Sequence, residues 1–329
     1  MFLSLLLPLT PHTPLDRRAF LGREAHAWFL SLVGAAAPAL AEKLHADEQR
    51  KPFTVSGVRR YLTPDPSPTK RGENLVPNLH SPLLIGEGPG VRSGSHFVRV
   101  TSLSAELSAL LLNDVLPRLP ETARLGETMF TVGQPIGDAA QHPWAGQTTA
   151  EALLGQWFAP AAPVSARVVT QFASPTAFKR QGRLWVTPLP APLVQSWLMA
   201  WNTYAAPKFE SDLVSLVERD ALITRYRLRT VAVSLRDEDR RMKDEAGSSN
   251  ERLEMKGENN SSLILHPKPF FRGSSFVSGF VGTCALTLFS RERALWRTIH
   301  LLADFALYCG TGYKTTQGMG QTRRVTSER

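Results

Sequence analysis

The sequence predicts an α+β protein made of two tandem ferredoxin-like (RRM-like, βαββαβ) domains. Two observations carry that expectation. Hydrophobic patterning alternates between strand-like and helix-like in the same order in each half of the chain, and a long polar stretch interrupts each half at the same place. With 329 residues, 43% of them hydrophobic, the chain can fill two small cores.

In the first half, Phe2–Leu9 is strand-like, and Asp16 to about Lys43 is a helix that Pro38 breaks or kinks. Phe53–Val58 and His96–Ser102 are strand-like, Leu103–Leu116 has helical apolar spacing, and Glu127–Val132 is a last strand. In the second half, Ala166–Phe172 is a strand, Pro192–Tyr204 a helix, and Ala221–Leu235 and Phe276–Phe289 two long strands. Arg291–Tyr308 is an amphipathic helix, and Tyr313–Arg324 supplies the closing strand or loop.

The domains are expected at 1–154 and 164–329, joined through the Ala- and Pro-rich stretch Gly155–Pro163. Within them, 61–94 and 237–260 are crowded with polar residues and charge. Such stretches bury too little apolar surface to offset the entropy of ordering. Both are expected to be mobile insertions between the second and third strands of their halves, without a catalytic role. The first also looks like a translated palindromic DNA repeat.

A formal net charge of +9 suits an anionic partner. Two cysteines, Cys284 and Cys309, cannot make a disulfide framework or a four-cysteine zinc site. They are expected to be buried free thiols in a reducing cytoplasm. The apolar amino terminus is short and lacks a basic start, so it is expected to be a buried strand and not a signal peptide. No run has the length of a membrane span, and no cofactor or metal is expected.

The most specific segment is Gly310-Thr311-Gly312-Tyr313-Lys314-Thr315-Thr316-Gln317-Gly318-Met319-Gly320-Gln321-Thr322-Arg323-Arg324. Its four glycines allow close backbone approach to a ligand, and successive N–H groups in such a loop can cradle an anion. Lys314, Arg323 and Arg324 add charge, while Thr315, Thr316 and Gln317 add neutral donors. A helix precedes the loop and a basic tail follows, which excludes both the P-loop and the dinucleotide fingerprint.

Together with Gly279-Phe280-Val281-Gly282-Thr283-Cys284 and the helix ending Ala303-Asp304-Phe305-Ala306-Leu307-Tyr308-Cys309, this loop resembles the carboxy terminus of the Cas-six family. Those are the CRISPR-associated endoribonucleases of the RAMP superfamily, which cut precursor CRISPR RNA within its repeats. Phe172-Ala173-Ser174-Pro175-Thr176-Ala177-Phe178, Leu189-Pro190-Ala191-Pro192 and Lys51-Pro52-Phe53-Thr54-Val55-Ser56 agree with it. The resemblance implies two ferredoxin-like domains and metal-independent cleavage. The ribose 2′-hydroxyl attacks the scissile phosphate, leaving a 2′,3′-cyclic phosphate and a 5′-hydroxyl.

That chemistry wants a base, an acid and a cation near the developing charge. A histidine shortly before Lys-Pro-Phe matches the family's loop, so the resemblance implies His45 as base or acid and Lys51 as transition-state stabiliser. His26, on the preceding helix, is the runner-up. Some relatives add a tyrosine from the first helix; here that region has Ala27-Trp28-Phe29-Leu30-Ser31, and only Ser31 offers a hydroxyl.

For RNA binding, the candidates are Gly310, Gly312, Tyr313, Lys314, Thr315, Thr316, Gln317, Gly318, Gly320, Arg323 and Arg324 in the loop. Period-two alternation puts Arg225, Arg227 and Arg229 on one strand face, which either meets RNA phosphates or is a solvated outer face. Lys179 and Arg180, with Arg183, form a further basic patch, and Trp197 and Trp201 have the spacing of core residues. The expected partner is CRISPR repeat RNA, with a CRISPR effector complex and a homodimer left open. The rival reading is a non-catalytic repeat-RNA-binding subunit of such a complex; a degenerate copy is the third.

Overall fold

The computed structural model describes residues 1–16, 19–46, 50–60, 96–162, 164–234 and 276–325. The two polar stretches expected as insertions, 61–94 and 237–260, lie outside the described residues.

The first sheet is antiparallel and centred on β1 (Phe2–Pro11). Its main path runs β2 (Phe53–Val55), β4 (His96–Ser102), β1, β6 (Thr128–Val132), β5 (Thr122–Leu125). A short β3 (Arg59–Arg60) adds to β4, and β7 (Gly146–Thr148) adds to β1. Reducing β5–β6 to one hairpin leaves the 2-3-1-4 order of a βαββαβ domain. Glu127–Val132, expected as a lone last strand, is the second arm of that hairpin.

Helices α1 (Gly22–Ala36) and α2 (Pro38–Ala46) are separated at Ala37, because Pro38 cannot continue the hydrogen-bond ladder. Ala25, Trp28, Phe29 and Val33 make the buried stripe of α1. Helix α3 (Ala105–Leu110) starts on Ser104, whose hydroxyl accepts from the Leu107 N–H, and continues as tighter and wider turns to Arg118.

The second sheet has the order β11 (Ala221–Ser234), β12 (Phe276–Leu288), β8 (Arg167–Thr176), β13 (Thr322–Val325), again 2-3-1-4 and antiparallel. Between β8 and α5 (Pro190–Tyr204) lies a hairpin of β9 (Phe178–Arg180) and β10 (Arg183–Trp185). Helix α6 (Leu213–Asp220) leads into β11, and α7 (Arg293–Cys309) leads into the glycine loop. Trp197 and Trp201 of α5 are core residues, as expected, and Cys284 and Cys309 are buried free thiols. Burial pushes them up to about 11 and about 12 respectively.

The stretch expected to link the halves begins inside a helix, α4 (Ala150–Phe158), capped by the Thr149 hydroxyl. Leu153 and Trp157 of α4 belong to the second core. Phe2 of β1 also enters that core, against Phe305 and Trp201. β1 is therefore apolar on both faces because both are covered.

Arg99 of β4 ties the two sheets together. It is 1% exposed and donates to the Ser4 hydroxyl, the Gln321 side-chain oxygen and the Leu307 carbonyl. Burial lowers its pKa to about 9, which leaves it charged at neutrality. Among the described residues no helix is long and apolar enough to cross a membrane.

Candidate active site and nucleic-acid interface

His45 is exposed at the last turn of α2. The Lys51 ammonium donates to the carbonyls of Leu44 (2.6 Å) and His45 (3.1 Å), at the negative end of that helix. Lys51 thus fixes the turn that carries His45. Residues 47–49 between them lie outside the described residues. From the other half of the chain, the Tyr204 hydroxyl donates to the Arg50 carbonyl. Nothing in the local sequence signals that anchor.

His26 joins the same group. Its ring stacks on Phe53 of β2, with centroids 5.7 Å apart, and its Nδ1 lies 3.0 Å from the Thr316 carbonyl. A carbonyl only accepts, so Nδ1 carries the proton and Nε2 keeps its lone pair. Burial, followed by the charges of Lys51, His45 and Arg23, holds the His26 pKa below the ordinary histidine value; the bond to Thr316 opposes that shift only in part. His26 is therefore neutral at pH 7. Ser31 donates back to the Trp28 carbonyl in its own helix.

The glycine loop is a bridge between the halves. Its amides at Thr311, Gly312, Tyr313, Gln317, Gly318, Met319, Gly320 and Gln321 donate to protein acceptors, Gly318 to Val55 O of β2 at 2.8 Å. Internal bonding thus takes up these eight amides. Gln317 Oε1 and Gln321 Nε2 are buried without a hydrogen-bond partner among the described residues. Tyr313 carries Lys179 and Lys314 at 5.7 and 5.5 Å from its ring centre. Thr315 to Gln317 form one 3₁₀ turn facing α1. A Cβ on Gly22 would lie 2.3 Å from Gln317 O, so α1 and the loop touch backbone to backbone.

The two terminal arginines part company. Arg324 pairs with Asp304 at 2.6 Å and lies over Trp157, on the core side of β13. Arg323 points to the opposite face, donates to Gln171 at 2.8 Å and lies 5.2 Å from the Trp144 ring centre. Gln171 pairs with Thr283, and Thr283 with Arg227. Cross-strand partners share a face, so Arg323 and the exposed row Arg225, Arg227, Arg229 lie on one side of the sheet. Lys179 and Arg180 are exposed on the β9–β10 hairpin. Among the described residues no group of three or more His, Cys, Asp or Glu could hold a metal ion.

The profile of the CRISPR Cas6 N-terminal domain matches residues 1–154, and that of the CRISPR-associated endoribonuclease Cas6 matches 170–322. The chain belongs to the Cas6 family. Its fold is similar to that of a Cas6 product complex (TM-score 0.67, 24% identity, 99% of this chain and 100% of the other). It is also similar to a Thermus thermophilus Cas6 (0.63, 21%, 99% and 98%). A Cas6 substrate mimic complex is similar too (0.61, 19%, 98% and 99%). These identities carry the likeness of fold, which is the tandem ferredoxin-like arrangement of the Cas6 family. A comparison with curated protein sequences finds no match.

Proposed function

We propose that the protein is a metal-independent endoribonuclease that binds CRISPR repeat RNA and cuts precursor CRISPR RNA. The observation that carries this reading is the convergence of His26, His45 and Lys51 beside the glycine loop. In the proposed step, His26 Nε2 takes the proton of the 2′-hydroxyl as its oxygen attacks phosphorus. The bond from phosphorus to the 5′-oxygen breaks, and His45 protonates the leaving oxygen. A 2′,3′-cyclic phosphate and a 5′-hydroxyl result. Lys51 holds the His45 turn and adds positive charge where the phosphorane gains negative charge. Arg225, Arg227, Arg229, Arg323, Lys179, Arg180 and the side chains of 313–317 grip the RNA.

The test is incubation with repeat RNA in EDTA, using native RNA and RNA with one 2′-deoxy at the cut site. Native RNA is expected to be cut and the deoxy RNA only bound. Binding of native RNA without cleavage would favour the non-catalytic subunit, a reading that the absence of a first-helix tyrosine and the engaged Ser31 hydroxyl support.

A further inference from the structure

Between the β9–β10 hairpin and the edge of the second sheet lies a surface whose aromatic residues Trp185 and Tyr226 the proposed RNA grip does not use. Tyr226 of β11 is 69% exposed, and Trp185 at the end of β10 is 44% exposed. Beside them opens a cavity of about 330 Å³, lined by Val186, Pro188, Ile223, Tyr226, Leu228 and Phe280. That is the lower end of the volumes that hold small ligands. Large aromatic rings left in water on an apolar pocket lose the free energy their burial would give, which points to an occupant.

Both rings are accompanied by cations. The Arg180 guanidinium lies 5.9 Å from the Trp185 ring centre. Arg229 borders the cavity that Tyr226 lines, while Arg225 and Arg227 belong to the opposite face of β11. Farther along the hairpin, Lys179 and Lys314 flank the Tyr313 ring. Flat rings interleaved with positive charge suit a chain of flat bases on a polyanionic backbone.

We propose that this surface is a track for a single-stranded segment of the bound RNA. Trp185 and Tyr226 stack bases, and the cavity between hairpin and sheet takes one of them. The proposal rests on the RNA-binding reading above. A duplex keeps its base faces stacked inside and offers nothing to Tyr226. A second copy pairing along β11 would set arginine rows against each other, which opposes that occupant.

The experiment is fluorescence anisotropy with two probes, a short 5′-fluorescein oligouridylate and a blunt RNA duplex, on the full chain. Tyr226→Ala and Trp185→Ala are each expected to weaken oligouridylate binding about tenfold, from the value of one stacked base. Tyr226→Phe should retain affinity, and all variants should bind the duplex like wild type. If wild type binds and cuts repeat RNA while both alanine variants hold oligouridylate unchanged, this inference fails and the RNA reading stands. If wild type binds neither oligouridylate nor repeat RNA, both fail together. A Tyr226→Ala variant that loses self-association in sedimentation but keeps oligouridylate would give the face to a second copy and overturn the proposal.

Discussion

The Nδ1–H of His26 donates to the carbonyl oxygen of Thr316 across 3.0 Å, joining the first helix to a loop 290 residues away. This bond selects the tautomer that leaves Nε2 open, and it ties the glycine loop to the proposed base. The loop and His26 cannot move independently.

That relationship fixes the expected pH dependence of cleavage. Burial holds the His26 pKa below the ordinary value of about 6.5. As a base, His26 works when neutral, so its contribution to single-turnover cleavage should be lost as pH falls below 6.5. His26→Asn, whose amide can still donate to Thr316, should lose about a hundredfold or more in rate with RNA affinity kept. An acid limb that survives unchanged in His26→Asn would assign the titration to another group.

Gly318 tests the bridge itself. Its φ of 96° is left-handed, and a Cβ there would stand 2.7 Å from the Phe20 ring and 2.8 Å from Gly57 N. Gly318→Ala must therefore push the loop off β2, breaking the bond to Val55 O. Urea unfolding should show a loss of roughly 1–3 kcal/mol. Cleavage should fall by a larger factor than RNA affinity, because the displaced loop releases His26. Equal losses in both would mean that the loop only binds.

Acid should also loosen the joint between the halves. His142 is 1% exposed, and its Nδ1 accepts from Trp144 N at 3.1 Å. Burial first, then the charges of Arg323 and Arg99, lower its pKa to about 4. Between that value and the unfolded value of about 6.5, the unfolded chain binds a proton that the folded chain refuses, so stability falls as pH falls through this window. The loss is on the order of 3 kcal/mol when complete. Urea midpoints at pH 7, 5.5 and 4 would measure it, and His142→Asn should flatten the slope.

The element order was legible because amphipathic periods report local structure, and α1, α5 and α7 each keep a clear apolar stripe. The proline break at Pro38 and the two core tryptophans were legible for the same reason. Arg99 was not. Set between Val98 and Val100, it has the pattern of an outward residue on a half-buried strand, yet Leu307 and Gln321 cover that face. Likewise, the glycines announced a tight loop, but not that Val55, Ala177 and Pro175 would accept from its amides at Gly318, Tyr313 and Gly320. Periodicity carries no information about which distant backbone fills the open side of a strand. His26 was visible as the runner-up to His45, and the loop's return to α1 adds its contact with Thr316, which the sequence does not signal.

Salt dependence decides whether the arginine row on β11 is a phosphate-binding face or a solvated one. Arg225, Arg227 and Arg229 are exposed and share their face with Arg323 through the Gln171–Thr283–Arg227 pairing. Like charges at alternate positions repel, and counterions offset that repulsion until RNA displaces them. Each arginine that meets a phosphate should therefore contribute about 0.7–0.9 to the slope of log affinity against log salt. Arg227→Ala should weaken repeat-RNA binding at low salt and flatten the slope by that amount. Arg227→Lys, which keeps the charge, should restore most of the slope. Arg324→Ala serves as the contrast, since its guanidinium is committed to Asp304. It should lower stability in urea and leave the slope as in wild type. A slope unchanged in Arg227→Ala would make the row a solvated face and move the phosphate contacts to Lys179, Arg180 and the loop.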